Sequence, residues 1–531
     1  MGDIGVQYHA LKIFQLNTAK VTASGNALAR IMGAHRHSLA FITEPPIAFN
    51  KVCGFPAGAF NVLHHPKEVK RCRAAIVASK GVDVMALPAY TDEDTVSAIT
   101  SLDGKDTCIV STYMDIKSNK VPEMVHKVAH YAAVSGYGLL ICTDANAHSP
   151  LWGSPDINQR GKLIEEDLIY RYGLQLLNVG ASPTYIGHLT IAGTIIDLTL
   201  ATHRTAASLS SWEVSDKVVL SDHSLITFQS LTKVRNNISW NFRKCDWAEF
   251  TKHAAALSKE WVPVTEWFPE TIDEELATWY HDVNRALKES CPKTKGHGCP
   301  PNKRGRTCPW WSSELEALKK KSEHNHRVFW RWRKLHPKGT PDPEGAGAAL
   351  LKADKDSMHE YKQAIRQAKR ASWKKTTSTI RNPAEMARFC RGAFRKHRIS
   401  LGLVKRQDGQ PTTSPEESVK VIMDTLFPNS KPPELMKEHR PESAPKSVIM
   451  ENGPSLFSDN MLQTAFRQFG SHKAAGTDGI KPIVFLHLDW DSRRRLAYIM
   501  EASTRLAYIP TTWRISRIAL IPKPHTLELG R

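Results

Sequence analysis

Residues 141–154 read ICTDANAHSPLWGS, in which a strand pattern is followed directly by polar residues. An apolar run typical of a buried strand ends abruptly at Asp144 and Asn146. A carboxylate buried at a strand end is costly unless it is paired, hydrogen-bonded or bound to a cation. The stretch therefore predicts a functional site whose partner residues lie elsewhere in the chain.

Similar strand patterns recur on both sides of this stretch, from about residue 9 to residue 230. Short apolar runs such as ALKIFQLN, LAFITEP, AAIVAS, DTCIVSTYMD, IIDLTLAT and HSLITFQS alternate with helical segments such as EMVHKVAHYAAVSG. Strands interleaved with helices are typical of an α/β domain, and such domains usually build their sites at strand ends.

Polar residues stand at the ends of these predicted strands in a fixed order. They are Asn17, Glu44, Tyr113, Asp144, Asn146, Thr184, Asp197, Asp222 and His223. Each alone is more typical of a turn or a helix cap than of catalysis. Together they supply oxygen ligands of the kind that Mg²⁺ prefers, and a histidine whose protonation a carboxylate could hold.

The ordered set resembles the endonuclease/exonuclease/phosphatase superfamily, and more closely the apurinic-type endonuclease of non-LTR retrotransposons of the Jockey, I and R1-like group. The resemblance rests on DANAHSPLWGS, NQRG, LQLLNVGASPTY, IIDLTLA, SWEVSD and SDHSLI, in register over residues 9–230. It implies a four-layered α/β sandwich. One departure is Ala145, where many superfamily members carry Phe; strand alternation turns this side chain away from Asp144 and Asn146.

The resemblance also implies a metal site and a reaction. Glu44 would be the principal Mg²⁺ ligand, with Asn17 and Asp222 completing or orienting the site; Mn²⁺ is the alternative ion. The reaction implied is hydrolysis of a phosphodiester in target DNA that leaves a 3′-hydroxyl.

The same resemblance assigns catalytic roles. Asp144 would hold and deprotonate the attacking water, and Asn146 would grip a phosphate oxygen. His223, oriented by Asp197, would donate to the phosphate, and Tyr113 would assist. Two further residues are candidate phosphate contacts: Thr184, with the alternative of a residue that supports the catalytic side chains from behind them, and His148, with the alternative of a structural loop histidine.

Charge divides the chain near residue 230. The full sequence has a net charge of +19, yet residues 1–230 hold 19 Lys and Arg against 20 Asp and Glu. The excess positive charge lies beyond residue 230, where residues 231–450 form a predicted basic and mostly helical linker region. It indicates a polyanion partner, and we expect the element's own RNA to bind this part of the chain. Trp330, Trp332 and Trp373 among its basic residues could stack on bases or form the apolar stripe of packed helices.

The segment 455–531 resembles the start of a reverse transcriptase fingers region in the same retroelements. The matching stretches are KAAGTDGI at 473–480 and IPTTWRISRIALIPKP at 509–524, where Arg517 and Lys523 are candidate nucleic-acid contacts. No YxDD-like pair of carboxylates occurs in the sequence, so we expect no polymerase activity from these 531 residues.

The sequence therefore predicts a Mg²⁺-dependent endonuclease that acts on DNA in the nucleus, the compartment that the resemblance implies. No apolar stretch approaches the roughly 20 residues of a membrane span, and we expect neither secretion nor a membrane partner. Two alternatives stay open. One is an apurinic repair endonuclease or another phosphoesterase of the superfamily, and the other is an inactive remnant that binds nucleic acid.

Overall fold

The structure is a computed structural model that divides into two compact units. The first comprises residues 1–236, 297–426 and 522–531, and the second comprises residues 237–296 and 427–521. The residues that the structure describes are 7–48, 51–65, 72–187, 193–234, 240–293, 310–336, 342, 344–393, 403–404, 406–410, 412, 414–428, 441, 443–451, 453–471, 473, 475–476 and 478–515.

Two six-stranded sheets form the centre of the first unit. The first sheet has the spatial order β13 (Ser210–Ser215), β14 (Leu225–Val234), β1 (Gln7–Asn17), β2 (Ser38–Thr43), β6 (Ala74–Ser79), β5 (Phe60–Leu63). The second has the order β11 (Leu174–Leu176), β12 (Asp197–Thr202), β10 (Gly138–Asp144), β9 (Lys105–Tyr113), β8 (Thr95–Leu102), β7 (Val84–Ala86). A separate small hairpin pairs β3 (Ile47–Ala48) with β4 (Lys51–Val52).

The sheets pack face to face because their strands are apolar on both faces. On β1, Leu11 and Ile13 lie in the core between the sheets, whereas Phe14 and Leu16 face the opposite side. Four helices accompany the sheets: α1 (Thr22–Gly33), α2 (Glu123–Val134), α3 (Gln159–Leu163), continued by a π-helical segment Ile164–Tyr170, and α4 (His203–Ala206).

Helices α1 and α2 form the outer layers. Leu28 and Met32 of α1 pack on the outer face of the first sheet, and Val125 and Val128 of α2 pack on the outer face of the second. The order of layers is helix, sheet, sheet, helix, so the predicted four-layered α/β sandwich is confirmed.

A long helical hairpin also belongs to the first unit. It pairs α7 (Ser313–Leu335) with α8 (Ala346–Ser378), and the shorter helices α9 (Pro383–Ala393) and α10 (Pro415–Leu426) follow it. Trp330 is buried with Leu351 and Ile186, and the Trp332 ring lies so close to Gly347 that a Cβ there would be 2.1 Å away. The side chains of Trp330 and Trp332 therefore pack within the hairpin and against its neighbours, whereas the Trp373 side chain is 54% exposed.

The second unit is a helical domain with a two-stranded sheet. Its elements are α5 (Trp247–Ser258), β15 (Glu266–Trp267), α6 (Pro269–Ser290), β16 (Val448–Ile449), α11 (Asp459–Gln468), α12 (Pro482–Leu486) and α13 (Trp490–Arg505). Its core includes Phe250, Trp267 and Trp279, and Arg495 of α13 pairs with Glu275 and Asp282 of α6. Residues predicted as one basic helical linker, 231–450, are thus distributed over both units.

The helical character predicted beyond residue 230 is confirmed. Among the described helices, none combines the length and the apolar character that spanning a bilayer requires.

Candidate active site

Strand pairing brings the predicted polar residues to one end of the sandwich. In the second sheet Asp144, the last residue of β10, is paired with Tyr113 of the parallel β9 and with Asp197 of the antiparallel β12. In the first sheet the end of β1 at Asn17 lies opposite Thr43, which immediately precedes Glu44. The carboxyl ends of these strands and the start of β12 therefore share one edge.

Hydrogen bonds between the sheets hold this edge together. The Gln15 amide nitrogen of β1 donates to the carbonyls of Thr143 and Leu198 at 3.2 and 3.1 Å, and Thr199 donates to the Gln15 carbonyl oxygen at 2.8 Å. Ser111 of β9 donates to the Ile42 carbonyl at 3.0 Å. The two sheets thus have a fixed relative position beside the candidate site.

Asp144, Asp197 and His223 form a compact buried cluster. His223 Nδ1 donates to Asp197 Oδ2 at 2.8 Å, and His223 Nε2 lies 3.9 Å from Asp144 Oδ2. Asp144 and Asp197 are each 2% exposed and His223 is 8% exposed. Ligand atoms of all three lie within 4.8 Å of one another, a spacing compatible with one shared metal ion.

Burial and neighbouring charge shift the titration of this cluster. Burial and the nearby Asp197 carboxylate raise the pKa of Asp144 to about 7, against the opposing effects of His223 and Asn17. For His223, burial favours the neutral ring, but the Asp197 carboxylate overcomes this and raises the pKa to about 9. His223 is therefore held as a cation at neutral pH.

Two carboxylate oxygens of the cluster provide a test of metal binding. Asp144 Oδ1 and Asp197 Oδ1 are buried, and neither accepts a hydrogen bond from any described residue. Buried carboxylate oxygens without donors are costly, and hard divalent cations prefer such ligands. The donor set therefore fits a divalent cation, and its chemistry does not by itself specify which one.

Each of the three predicted metal ligands has a protein partner. The Asn17 amide nitrogen donates to Asp144 Oδ2 at 2.7 Å, and its oxygen accepts the Ala19 backbone N–H at 2.8 Å. Glu44 lies 3.3 Å from the Lys20 ammonium, with its side chain 20% exposed. Asn17 is thus directly joined to the buried cluster, and Glu44 lies at its rim.

The third predicted ligand, Asp222, interacts with the helical hairpin. Its Oδ1 lies 3.4 Å from the ammonium of Lys355 on α8, which also donates to the Ile186 carbonyl at 2.8 Å. No sequence signal pointed to Lys355, because it is 133 positions away from Asp222.

The loops that present the site contain left-handed backbone at residues other than glycine. Ala19, Lys20, Glu44 and Asn146 have φ values of 49°, 58°, 46° and 46°. Non-glycine residues adopt this conformation at a cost, and such strain concentrates at functional sites. It turns the chain sharply at the ends of β1, β2 and β10.

Tyr113 lies against a charged cluster. The Arg73 guanidinium is 5.1 Å from the Tyr113 ring centroid and forms ion pairs with Asp94 and Asp115. Burial, followed by Glu44 and Asp144, raises the pKa of Tyr113 to about 12. Its hydroxyl is therefore protonated at neutral pH and can act only as a hydrogen-bond donor or acceptor there.

Asn146 is held in place by a buried arginine that the sequence did not assign a role. Arg160, 2% exposed, donates to the carbonyls of Ala145 at 2.9 Å and of Met114 and Asn146 at 3.3 Å, and also to that of Asp115. The Asn146 amide nitrogen donates to the Met114 carbonyl at 3.0 Å. Arg160 belongs to the NQRG stretch of the family resemblance, and this stretch was the sequence signal that could have identified the residue.

Thr184 and His148 lie outside the buried cluster. The Thr184 hydroxyl oxygen is fully buried and accepts the backbone N–H groups of Ile196 at 3.1 Å and Asp197 at 3.0 Å, so it positions Asp197. His148 Nδ1 lies 3.4 Å from Asp156 Oδ1 in the loop after β10. Phosphate contact by either residue stays a prediction, and Arg517 and Lys523 lie outside the described residues.

Sequence comparisons relate this chain to known proteins. Residues 107–227 match the family model described as "Endonuclease-reverse transcriptase". The chain is 24% identical over 403 residues to the 115 kDa protein of the type-1 retrotransposable element R1DM of Drosophila melanogaster, which covers 72% of this chain. The match spans 36% of that protein, so the chain corresponds to about a third of its length.

Two solved endonuclease structures are similar to part of this chain. The endonuclease domain of TRAS1, a telomere-specific non-LTR retrotransposon, is 22% identical, covers 43% of this chain and 99% of its own, and gives a TM-score of 0.36. An apurinic endonuclease from Leishmania major is 13% identical, covers 43% of this chain and 88% of its own, with a TM-score of 0.32. The predicted resemblance to the endonuclease–reverse transcriptase proteins of non-LTR retrotransposons is confirmed by the family model and the R1DM relative.

Proposed function

We propose that this chain is a Mg²⁺-dependent DNA endonuclease whose cut leaves a 3′-hydroxyl from which the element's RNA is reverse transcribed. The observation that carries the proposal is the buried cluster of Asp144, Asp197 and His223, in which two carboxylate oxygens have no hydrogen-bond donor among the described residues. A bound cation would compensate these buried acidic groups, and a phosphodiester is a substrate that such a site can polarise.

A bound divalent ion would neutralise charge on the phosphate and orient it for in-line attack. Asp197 offers the free oxygen that would hold the ion, and Glu44 at the rim, with Asn17 and Asp222, completes the proposed set. Side chains of the protein supply the proton abstraction from water and the hydrogen bonds to the phosphate.

Asp144 takes a proton from the attacking water, whose oxygen forms the new bond to phosphorus as the bond to the 3′ oxygen breaks. Its partners favour this role, because Asn17 fixes one oxygen at 2.7 Å and leaves the other available. Its pKa of about 7 suits proton transfer near neutral pH. The leaving 3′ oxygen takes its proton from solvent.

His223 donates a charged hydrogen bond from Nε2 to a non-bridging phosphate oxygen as negative charge grows there. Its Nδ1 hydrogen bond to Asp197 keeps the ring protonated and oriented. Tyr113 supplies a neutral hydroxyl, and Asn146 would contact the phosphate from the loop that Arg160 stabilises.

Target DNA is the proposed substrate, and the basic region beyond residue 230 is proposed to bind the element's own RNA in the nucleus. The positive charge of that region supports a polyanion partner. Contacts of Arg517 and Lys523 with nucleic acid belong to the same proposal.

The proposal is tested by incubating the full chain with supercoiled plasmid, an intact duplex, an abasic duplex and a phosphoinositide, each with Mg²⁺, Mn²⁺ or EDTA. We expect metal-dependent nicking of plasmid and intact duplex, and extension of the nick by an added DNA polymerase. Asp144→Ala and His223→Ala should each reduce the rate by about 10²–10⁴-fold. Lys375→Gln, an exposed residue on α8 outside the site, serves as the matched control.

Each alternative has its own result in this experiment. A strong preference for the abasic duplex or the phosphoinositide would replace the proposal with a repair nuclease or another phosphoesterase. Salt-dependent DNA binding without nicking in either metal would identify a nucleic-acid-binding protein without catalysis.

A further inference from the structure

A stripe of basic side chains lies along one face of α8 beside the candidate active site. Lys355, His359, Lys362 and Arg366 follow one another at intervals of four, three and four residues, which places them on the same side of the helix. At about 1.5 Å per residue the stripe is roughly 16 Å long.

The helix that carries the stripe is fixed against the nuclease sandwich by an apolar contact. Met358, Tyr361 and Ile365 of α8 are buried together with Leu220, which directly precedes the Ser221–Asp222–His223 segment. Lys355 adds the polar contacts to Asp222 and to the Ile186 carbonyl already described. The stripe therefore has a defined position relative to His223.

A cleft of about 210 Å³ separates the stripe from the sandwich. Val21 and Asp222 line the side of the sandwich, and Lys355, His359, Lys362 and Arg366 line the other side. Asp222 lies between this cleft and a smaller adjoining pocket that His223 also lines. The cleft thus begins next to the catalytic cluster and continues along α8.

The basic groups of this cleft crowd one another. Among the described residues, no carboxylate forms an ion pair with the Lys362 ammonium or the Arg366 guanidinium within 4.0 Å, and Asp222 is the only acid that lines the cleft. Burial lowers the pKa of Lys362, and Lys355 and Arg366 add to this effect, whereas the Asp222 carboxylate opposes it. Like charges held together in a half-buried cleft destabilise the free protein and favour an anionic ligand.

We propose that this cleft binds the sugar–phosphate backbone of the DNA substrate next to the bond that is cut. The inference rests on the proposed function. DNA is favoured because Asp222 lines both this cleft and the adjoining pocket that His223 lines, so a polymer whose phosphate reaches the cluster passes the stripe. Phosphates of one strand recur every 3.4 Å along duplex DNA, and a 16 Å stripe spans roughly five of them.

Binding is measured without catalysis, by fluorescence anisotropy of a labelled duplex of 20 base pairs in EDTA at several salt concentrations. The variants are Lys362→Gln, Arg366→Gln and the double variant; Lys375→Gln is the control, since it lies on roughly the opposite face of the same helix. Each single stripe variant should reduce the magnitude of the slope of log K against log salt concentration by about 1, and the double variant should reduce it by about 2. The control should keep the slope and affinity of the unsubstituted protein.

Nicking assays then separate this inference from the proposed function. If the unsubstituted protein nicks DNA, the stripe variants should raise KM at least about threefold, with the effect concentrated in KM rather than kcat. Absence of nicking by that protein would contradict the proposed function, while the binding series in EDTA would still decide the role of the stripe. Unchanged salt slopes and affinities in both single variants and the double variant would overturn the inference.

A parallel series with single-stranded RNA of the same length decides between the two nucleic acids. DNA as the ligand predicts that the stripe substitutions weaken duplex DNA binding at least as much as RNA binding. Loss of RNA binding with DNA binding intact would overturn the assignment, and it would link the stripe to the element's transcript.

Discussion

Asp197 and His223 are joined by a hydrogen bond of 2.8 Å between Oδ2 and Nδ1, and the other oxygen of Asp197 accepts no hydrogen bond from any described residue. One carboxylate thus orients and charges the imidazole while keeping an oxygen for a cation. Thr184 helps to position Asp197, since its hydroxyl oxygen accepts the backbone N–H of Asp197 at 3.0 Å.

The rate of nicking should depend on pH in a bell shape. Asp144 must lose its proton to act as base, so the rate should rise up to about pH 7, or to a lower pH when a bound cation favours the carboxylate. His223 must keep its proton, so the rate should fall as pH rises through about 9. Asp197→Asn removes the carboxylate that holds this proton and should move the alkaline limb to lower pH. Single-turnover rates from pH 5.5 to 10 in Mg²⁺ measure both limbs, and an alkaline limb that Asp197→Asn leaves in place would contradict the assignment.

Asp144→Asn should abolish nicking and yet stabilise the fold at neutral and alkaline pH. The pKa of Asp144 is raised from 3.8 to about 7, so the folded state disfavours its charge, and this group costs stability progressively as pH rises from about 4 to about 7. Replacement by a neutral amide of the same shape removes that cost, roughly 1–4 kcal/mol.

Thermal unfolding of the metal-free protein at pH 4.5 and pH 8 measures this difference. The variant should unfold at a Tm about 2 °C or more above that of the unsubstituted protein at pH 8, and the gap should narrow at pH 4.5. Asp156→Asn, at an exposed carboxylate in the same loop, is the control and should show no such pH dependence. A difference in Tm that is larger at pH 4.5 than at pH 8 would show that Asp144 is ionised in the folded protein without a cost in stability.

Glu44→Gln should raise the Mg²⁺ concentration needed for half-maximal nicking by about 10–100-fold. The residue lies at the rim of the cluster, and an amide is a weaker ligand for a hard cation than a carboxylate. The matched control is Lys20→Gln, which removes the ammonium 3.3 Å from Glu44 without altering the carboxylate. That control should leave the Mg²⁺ requirement unchanged or lower it. Equal Mg²⁺ requirements in Glu44→Gln and the unsubstituted protein would exclude Glu44 as a ligand.

Local sequence patterns were sufficient to predict an α/β domain with its site at strand ends, whereas the two-sheet sandwich was implied by the superfamily resemblance. Strands with apolar residues on both faces identify β1 and β10 as buried, and each predicted site residue of the cluster stands where its strand begins or ends. The superfamily resemblance also indicated which of these strand ends come together.

Contacts between side chains far apart in sequence could not be predicted in the same way. Lys355 reaches Asp222 only because Met358 and Tyr361 pack on Leu220, and packing of this kind leaves no periodic signal. Likewise the strand-end position of Thr184 does not decide between phosphate contact and support of the site, because the direction of its hydroxyl depends on the neighbouring chain at Asp197.

Arg160 should contribute to the conformation of the loops at the site as much as any residue that contacts substrate. Its guanidinium is buried and serves the carbonyls of Met114, Ala145 and Asn146, which follow the ends of β9 and β10. Arg160→Met keeps much of the volume but leaves those carbonyls without a charged donor, which should cost roughly 3 kcal/mol or more. Arg160→Lys restores the charge without the planar fork and should recover only part of that loss.

Chemical denaturation gives the stability of both Arg160 variants, and single-turnover nicking at a temperature where each is folded gives the effect on the site. We expect nicking to fall in both variants even when they are fully folded, because Asn146 has a strained φ of 46° that its neighbours must maintain. Arg171→Met, at an exposed arginine beyond the π-helical segment, is the control for loss of one positive charge and should leave both measurements unchanged. Full activity in folded Arg160→Met would show that the loop after β10 keeps its shape without the guanidinium.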